Sequence, residues 1–274
     1  MKNLMINSIS IPAVGLGTFQ LSGQGLTDNI VYALENGYRH IDTAQIYGNE
    51  HDVGRAITKV AIKRAELFLT TKIWINNFNP KDLYLSLKTS LDKLQTDYVD
   101  LLLLHWPVKY MPLNETLEAL NEVCRKKYTK YIGVSNFTIA QMNEAIQLSK
   151  IPIAFNQIEF HPLLQQPRVI NFAKAHHIGI MAHTSLAQGA LIHEPTLKKI
   201  AEKHGKDFAQ IIFRWLYQLN IPSLVRSNHK ERLIANADIF DFELSAEDMA
   251  AINKLGTPAK RFIDPVELAP DWDN

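Results

Sequence analysis

The chain has 274 residues, 46% of them hydrophobic and 21% charged, which is the composition of an ordinary globular protein with a sizeable core. Its 29 basic and 28 acidic residues leave a net charge of +1. This balance argues against a nucleic-acid-binding protein, which needs a clear excess of basic residues. The single cysteine, Cys124, excludes an intrachain disulfide and is typical of a reducing compartment.

The sequence contains no sign of export, of a membrane span or of a domain boundary. Polar residues interrupt every apolar run of residues 1–12, unlike in a signal peptide, and the apolar run 101–104 is far too short to span a bilayer. No linker or low-complexity tract divides the chain. We therefore expect a cytoplasmic protein with one domain over residues 1–274 and no membrane contact. Without an evident exposed apolar stripe, we expect a monomer.

Short β-rich runs alternate with amphipathic helical segments along the chain. Strands are predicted at 14–18, 38–43, 67–73, 98–105, 131–135, 153–159, 178–184 and 221–226. Helices are predicted near 26–36, 50–60 and 113–125, across 196–220, and starting at Asn79, Thr138, Gln166 and Lys230. Asn79 is a good N-cap, and Pro80 suits the first turn of a helix.

Eight strand–helix units fit a closed (β/α)8 barrel, which is typically about 250 residues long. An open doubly wound sheet is the alternative, and it usually has fewer units in one domain. The run 98–105 is almost continuously apolar, as in a parallel strand buried on both faces. We therefore predict an α/β TIM barrel with functional groups at the C-terminal ends of its strands, and with residues 254–274 as an irregular segment over the barrel.

Several familiar site motifs are incomplete. The sequence has no C-x-x-C, H-x-H or H-E-x-x-H, so no metal site is predicted. Gly15 and Gly17 are followed by Gln20 where a Rossmann fingerprint needs a third small residue. Ser135, in G-V-S-N-F, lacks one glycine of a nucleophile elbow. A nucleotide can still bind without any of these loops.

Four side chains lie at three consecutive predicted strand ends. Asp42 ends the second strand and Tyr47 follows it, Lys72 ends the third, and His105 ends the fourth. Each alone has a plain explanation, since a Lys after a strand is usually a solvated charge, a His there is usually structural, and Asp-Thr is often a turn. In a barrel, however, all four would meet at one mouth.

This set has the composition of an acid–base site. An ordinary tyrosine, with a pKa near 10, is a poor acid at neutral pH, and the ammonium of Lys72 is expected to lower the pKa of Tyr47. Asp42 would hold Lys72 charged, and His105 would orient a substrate oxygen beside Tyr47. Such an acid protonates a developing oxyanion. Because no activated nucleophile accompanies it, the sequence favours carbonyl reduction by a hydride from a nicotinamide.

These residues lie within longer motifs that resemble the aldo-keto reductases from residue 14 to 274. The motifs are G-L-G-T-F at 15–19, I-D-T-A-Q-I-Y-G-N-E at 41–50, T-T-K-I-W at 70–74, D-Y-V-D-L-L-L-L-H-W-P at 97–107, I-G-V-S-N-F at 132–137, N-Q-I-E at 156–159 and F-D-F-E-L-S at 240–245. Within the family, the chain is most similar to the bacterial 2,5-diketo-D-gluconate reductases of the B type.

The resemblance implies that Tyr47 is the general acid, that Lys72 and Asp42 lower its pKa, and that His105 orients the carbonyl. It implies contacts with the nicotinamide side of the cofactor from Gly17, Thr18, Asp42, Ser135, Asn136, Gln157 and His183. It implies further cofactor contacts from Thr184, Leu186 and Gln188. His183 replaces the aromatic residue that usually stacks on the nicotinamide, and the alternative is a packed histidine of the barrel rim. The walls of the substrate pocket are expected to be Phe19, Trp74 and Trp106, although the two tryptophans alone would be read as rim packing. A short loop after His105 implies an open pocket for small aldehydes and keto compounds.

The far end of the cofactor is expected at the last strand. The resemblance implies contacts from Arg226, Ser227, Asn228, Arg232 and Asn236. Two arginines with Ser and Asn beside a helix N-terminus suit a 2′-phosphate dianion, so we expect NADPH to be preferred over NADH. The alternative is a solvated basic helix start.

Two other functions remain open from the sequence. A nucleotide-binding redox sensor or partner subunit would have the same barrel with little turnover, but it would not need an intact acid. A metal-dependent barrel hydrolase would use Asp42, His105, His161 and His183, and no paired-histidine motif supports it.

Overall fold

A computed structural model describes residues 1–108, 112–256 and 258–273. Within these ranges the strands are β1 (Asn3–Ile6), β2 (Ile9–Pro12), β3 (Val14–Gly17), β4 (His40–Asp42), β5 (Phe68–Ile73), β6 (Val99–Leu104), β7 (Thr129–Ser135), β8 (Ile153–Glu159), β9 (Gly179–His183) and β10 (Ser223–Val225). The helices are α1 (Gly23–Glu35), α2 (Glu50–Lys59), α3 (Pro80–Leu94), α4 (Leu113–Arg125), α5 (Ile139–Leu148), α6 (Pro167–Ala175), α7 (Pro195–His204), α8 (Phe208–Gln218), α9 (Lys230–Ala237) and α10 (Ala246–Asn253).

The strands β3 to β10 form a closed parallel barrel in which β10 pairs with β3. The predicted TIM barrel is confirmed, and the open sheet is excluded. Every residue of β6 is buried, because this strand faces the barrel interior on one side and the helix layer on the other. Parallel order places all eight C-terminal strand ends at one opening, called here the barrel mouth.

Local capping sets several predicted helix starts. The Asn79 side chain accepts a hydrogen bond from Asp82 N at 3.0 Å, and Pro80 occupies the first turn of α3. Thr138 and Gln141 form a reciprocal capping box that starts α5. At these two caps the helices begin where they were predicted.

Two elements were not predicted. The hairpin β1–β2 lies at the end of the barrel opposite the mouth, where Leu4, Ile6, Ile9 and Ile11 pack in one cluster with interior residues such as Phe155.

At the other end of the chain, the sequence indicated one helix from Lys230. The structure has two, because α9 ends at Ala237 and the Ser245–Asp248 capping box starts α10.

Residues 258–273, called here the C-terminal segment, lie across the barrel mouth, as predicted. Lys260 N donates to Leu163 O at 2.8 Å, and the Trp272 ring lies 6.4 Å from that of Trp106. The short loop expected after His105 includes residues 109–111, which lie outside the described residues. Among the described helices, none has the length and apolar composition that a membrane crossing requires.

Candidate active site

The structure brings Asp42, Tyr47, Lys72 and His105 together at the barrel mouth. Asp42 is the last residue of β4, and Tyr47 ends the short 3-10 turn that follows it. Lys72 is the residue before the end of β5, and His105 directly follows β6. The expectation of one shared mouth is therefore met for all four side chains.

Lys72 is the centre of this group. Its ammonium donates to Asp42 Oδ1, to Thr43 O at 3.0 Å and to the Tyr47 hydroxyl oxygen at 3.4 Å. The Lys72 side chain is 1% exposed and that of Asp42 is 3% exposed, so the ion pair is shielded from water. Because the phenol oxygen accepts from Lys72, the Tyr47 O–H proton remains available to another acceptor.

The pKa of Tyr47 differs from the expectation. Burial raises it, the charge of Lys72 lowers it, and the charge of Asp42 raises it again, so that the net pKa of Tyr47 lies above the ordinary value. The sequence predicted the contribution of Lys72 but not the larger contribution of burial. Burial also acts to lower the pKa of Lys72, but the charges of Asp42 and Tyr47 outweigh it and raise that pKa. Lys72 therefore stays protonated.

His105 is a neutral imidazole in this environment. Burial first, and then the charges of Lys72 and His183, hold its pKa well below the ordinary value. Its ring lies 5.5 Å from that of Tyr47 and 5.4 Å from that of Trp74, edge to face in both cases. Its Nδ1 is buried without a hydrogen-bond partner among the described residues.

Two residues that the sequence analysis did not single out hold the mouth in shape. Asn49 donates to Thr18 O and to Leu21 O, both at 2.8 Å, and thereby joins the loop after β3 to the loop after β4. Gln45 Oε1 accepts from Trp74 N at 2.9 Å. Both lie inside the motif at 41–50, but nothing in the sequence separates such supports from reacting groups.

The residues expected on the nicotinamide side surround the same group. Gln157 Nε2 donates to Asp42 Oδ2 at 2.7 Å, so Asp42 is shared between Gln157 and Lys72. Ser135 Oγ donates to Gln157 O at 2.9 Å, and Asn136 Nδ2 donates to His105 O at 3.1 Å. Gly17 ends β3, and the Thr18 hydroxyl donates to Asp42 O at 3.0 Å.

His183 closes this side of the mouth. Its Nε2 lies 3.0 Å from Asn136 Oδ1 and its Nδ1 lies 3.0 Å from Thr184 Oγ1, which together fit a neutral ring protonated on Nε2. Burial lowers the pKa of His183 to about 4. Leu186 is half-buried beyond it, whereas Gln188 is exposed. His183 thus contacts the amide of a residue expected to hold the cofactor.

The expected aromatic walls differ in their surroundings. Phe19 is 47% exposed and its ring lies 5.0 Å from that of Tyr47, whereas Trp74 lies against His105. Trp106 is 6% exposed and contacts Trp272 of the C-terminal segment. Trp272 was missed, because a contact between residues so far apart in the chain has no local signal.

The residues expected at the far end of the cofactor lie after β10 and on α9. Arg226 is exposed, and its guanidinium donates to Gln20 Oε1 at 2.5 Å and to Phe19 O at 3.5 Å, which joins the ends of β10 and β3. Ser227 Oγ accepts from His229 N at 3.0 Å. Asn228 and Arg232 are exposed, and Asn236 is buried on α9.

The described residues contain no group of three His, Cys, Asp or Glu side chains that could hold a metal ion. His161, which the hydrolase alternative would use, bonds instead to Glu159 at 2.9 Å. The structure thus gives the hydrolase alternative no ligand set within the described part of the chain.

Comparison with known proteins agrees with this geometry. The model of the Aldo/keto reductase family matches residues 13–257, so the chain belongs to the aldo-keto reductase family of oxidoreductases, as the motifs indicated. Methylglyoxal reductase DkgB of Yersinia pestis is 45% identical over 271 residues, which cover 97% of this chain and 100% of that protein. Glyoxal reductase of Bacillus subtilis (strain 168) is 40% identical over 263 residues, covering 96% of this chain and 95% of that protein.

Solved structures agree as well. The crystal structure of a protein provisionally named 2,5-diketo-D-gluconic acid reductase B has a TM-score of 0.97 and 44% identity, and covers 100% of this chain and 98% of its own. A Bombyx mori aldo-keto reductase in complex with NADP has a TM-score of 0.87 and 31% identity, with 92% of each chain covered. The expected likeness to the 2,5-diketo-D-gluconate reductases of the B type is confirmed.

Proposed function

We propose that this protein is an NADPH-dependent reductase of small aldehydes and ketones, with Tyr47 as the proton donor. The observation that carries the proposal is the 3.4 Å contact between the Tyr47 hydroxyl and the buried ammonium of Lys72. A phenol with a raised pKa stays protonated before the reaction, which a proton donor must do. When it gives up its proton, the adjacent ammonium stabilises the phenolate that remains.

His105 would hold the carbonyl group of the substrate. As a neutral imidazole beside Tyr47, it can donate one hydrogen bond to the carbonyl oxygen without competing as an acid. The two donors then meet on the oxygen at which negative charge develops. Such preorganised donors stabilise the transition state more than the ground state.

Asp42, Tyr47, Lys72 and His105 are called here the tetrad. The residues around the tetrad fit a nicotinamide cofactor, which supplies the hydride when bound. Ser135, Asn136 and Gln157 offer the hydroxyl and amide groups that a carboxamide needs. Asn136 already bonds to His105 O, Gln157 bonds to Asp42, and Ser135 bonds to Gln157 O. Gly17, Thr18 and His183 would line the same half, and Thr184, Leu186 and Gln188 would make further contacts with the cofactor. The NADP complex of the Bombyx mori relative supports this class of cofactor.

At the other end, Arg226 and Arg232 would bind the 2′-phosphate, with Ser227, Asn228 and Asn236 beside them. Both arginines are exposed, so neither needs to leave a buried partner to reach an anion. A 2′-phosphate distinguishes NADPH from NADH, and we therefore propose that the KM for NADPH is the lower of the two.

The proposed substrates are small carbonyl compounds such as methylglyoxal and 2,5-diketo-D-gluconate. The names of the methylglyoxal and glyoxal reductases among the relatives support this choice. Phe19, Trp74 and Trp106 would form the apolar walls.

We also propose that the protein is a monomer, that it consists of one domain and that it lies in the cytoplasm. Light scattering would detect any larger assembly.

The test is the oxidation of NADPH with methylglyoxal, 4-nitrobenzaldehyde and 2,5-diketo-D-gluconate as separate substrates. We expect turnover with at least one of them, and no effect of a chelator. Turnover with none, despite measurable binding of NADPH, would contradict the proposal and favour the redox sensor. Activity that a chelator removes would favour a metal-dependent reaction.

A further inference from the structure

One buried carboxylate near the mouth has no role in the proposed reaction. Glu159 ends β8 and is 1% exposed. Its Oε1 accepts from Phe262 N at 2.8 Å and lies 2.9 Å from His161 Nε2, and its Oε2 accepts from Ile263 N at 2.9 Å. Two of these three partners belong to the C-terminal segment, about a hundred residues further along the chain.

These partners keep Glu159 ionised. Burial alone raises the pKa of Glu159, but the hydrogen bonds from His161, Ile263 N and Phe262 N outweigh it, and the net pKa lies below the ordinary value. An ionised carboxylate that accepts backbone N–H groups forms stronger hydrogen bonds than a neutral acceptor does. Glu159 is therefore a strong anchor for this part of the backbone.

A second carboxylate anchors the other end of the C-terminal segment. Asp273 Oδ2 accepts from Ile139 N, in the first turn of α5, at 2.7 Å. The Arg261 guanidinium, one residue before the backbone that Glu159 holds, lies 3.6 Å above the Trp272 ring, and Trp272 Nε1 donates to Asp264 Oδ1 at 2.8 Å. Arg261 thus holds the face of the Trp272 ring and Asp264 holds its indole nitrogen. The same ring lies next to that of Trp106.

We propose that Glu159 and Asp273 are positioning residues for substrate binding. They fix the C-terminal segment across the mouth so that Trp272, with Trp106, forms one wall of the substrate pocket. The inference rests on the proposed function, because it takes Trp106 as a pocket wall. It predicts that loosening either anchor weakens the binding of bulky carbonyl substrates and leaves cofactor binding and proton transfer as they are.

A different route for Glu159 can be separated by experiment. Glu159 is paired in register with His183, on the proposed cofactor side. An effect through His183 would raise the KM for NADPH. An effect through the C-terminal segment would raise the KM for the carbonyl compound, more for 4-nitrobenzaldehyde than for the smaller methylglyoxal.

The variants are Glu159→Gln, Asp273→Ala and Trp272→Ala, with Glu267→Gln as the control because Glu267 is an exposed carboxylate of the same segment. Steady-state kinetics at saturating NADPH give KM and kcat, and hydrogen exchange reports the order of residues 258–273. We expect the first three variants to raise the KM for 4-nitrobenzaldehyde about two- to tenfold, the effect of an aromatic contact. The KM for NADPH and the kcat should stay within about twofold, and faster exchange should accompany only the two anchor variants.

An unchanged KM for 4-nitrobenzaldehyde in Asp273→Ala and Trp272→Ala overturns the proposal. So does an increase in the KM for NADPH as large as that for the aldehyde. If Glu159→Gln does not fold, Asp273→Ala still decides, because its anchor lies outside the barrel strands. Hydrogen exchange does not depend on turnover. Absent turnover in the wild type would therefore refute the proposed function alone, and unchanged exchange in both anchor variants would refute the anchoring.

Discussion

The tetrad and the arginines after β10 use charge in opposite ways. Lys72 and Asp42 are buried, and the fold pairs them with each other before any ligand arrives. Arg226 and Arg232 are exposed, and the bonds of Arg226 go to the neutral groups of Gln20 and Phe19. A buried pair fixes geometry and tunes a pKa, whereas exposed cations can move onto an anionic ligand at small desolvation cost. The first arrangement suits proton transfer and the second suits binding.

Removing the Tyr47 hydroxyl tests the buried region most severely. Tyr47→Phe should lower kcat about 10²- to 10⁴-fold, because only the proton donor is lost. NADPH binding, measured by fluorescence titration, should be unchanged. Tyr84→Phe, which removes a hydroxyl from α3 on the outer helix layer, should retain full activity. More than about a tenth of wild-type turnover in Tyr47→Phe would contradict the role as the acid.

The exposed region should give a smaller and more selective effect. Arg226→Ala should raise the KM for NADPH about tenfold, as expected for the loss of a hydrogen bond to a charged group. The KM for NADH should hardly change, so the ratio of the two values should narrow. Arg125→Ala, which removes an arginine paired with Glu118 on α4, should leave both values unchanged. Equal increases for both cofactors would mean that Arg226 does not contact the 2′-phosphate.

His183 lies between the two regions and should give the smallest change. His183→Tyr offers more ring area for stacking on a nicotinamide and should lower the dissociation constant of NADPH about two- to tenfold. The variant loses the contact of the imidazole with Asn136 Oδ1. Weaker binding in both His183→Tyr and His183→Phe would show that the contact with Asn136 matters more than ring area.

The fold was readable from the sequence where local chemistry decides it. Helix α4 and strand β8 have the predicted bounds, and the caps at Asn79 and Thr138 start their helices as expected. The hairpin β1–β2 was missed because its strands are short and its turn, Asn7-Ser8, lacks the glycine that usually marks such turns. The start of helix α10 is marked in the sequence by the Ser245–Asp248 capping box, so this helix was predictable from local chemistry as well. The division into one domain stays a prediction.

The candidate site was readable in its residue types but not in its energetics. Strand ends gave the positions of Asp42, Lys72 and His105, because a parallel barrel brings such ends to one mouth. The pKa of Tyr47 was predicted with the wrong sign, since the degree of burial depends on packing from distant segments. The anchors Glu159 and Asp273 depend on contacts with residues far along the chain. No local pattern encodes such contacts.

Closure of the barrel has a consequence for folding. Ser223 N donates to Ala13 O at 3.0 Å, and the two residues are 210 positions apart. Strand β3 is therefore synthesised early, but its partner β10 is synthesised only after six other barrel strands. Until β10 docks, the sheet has two open edges, which can pair with other chains. The hairpin β1–β2 also packs on interior residues such as Phe155 and Met181, so it gains its full set of contacts late. We infer slow folding, with the N-terminal hairpin among the last elements to become protected from hydrogen exchange.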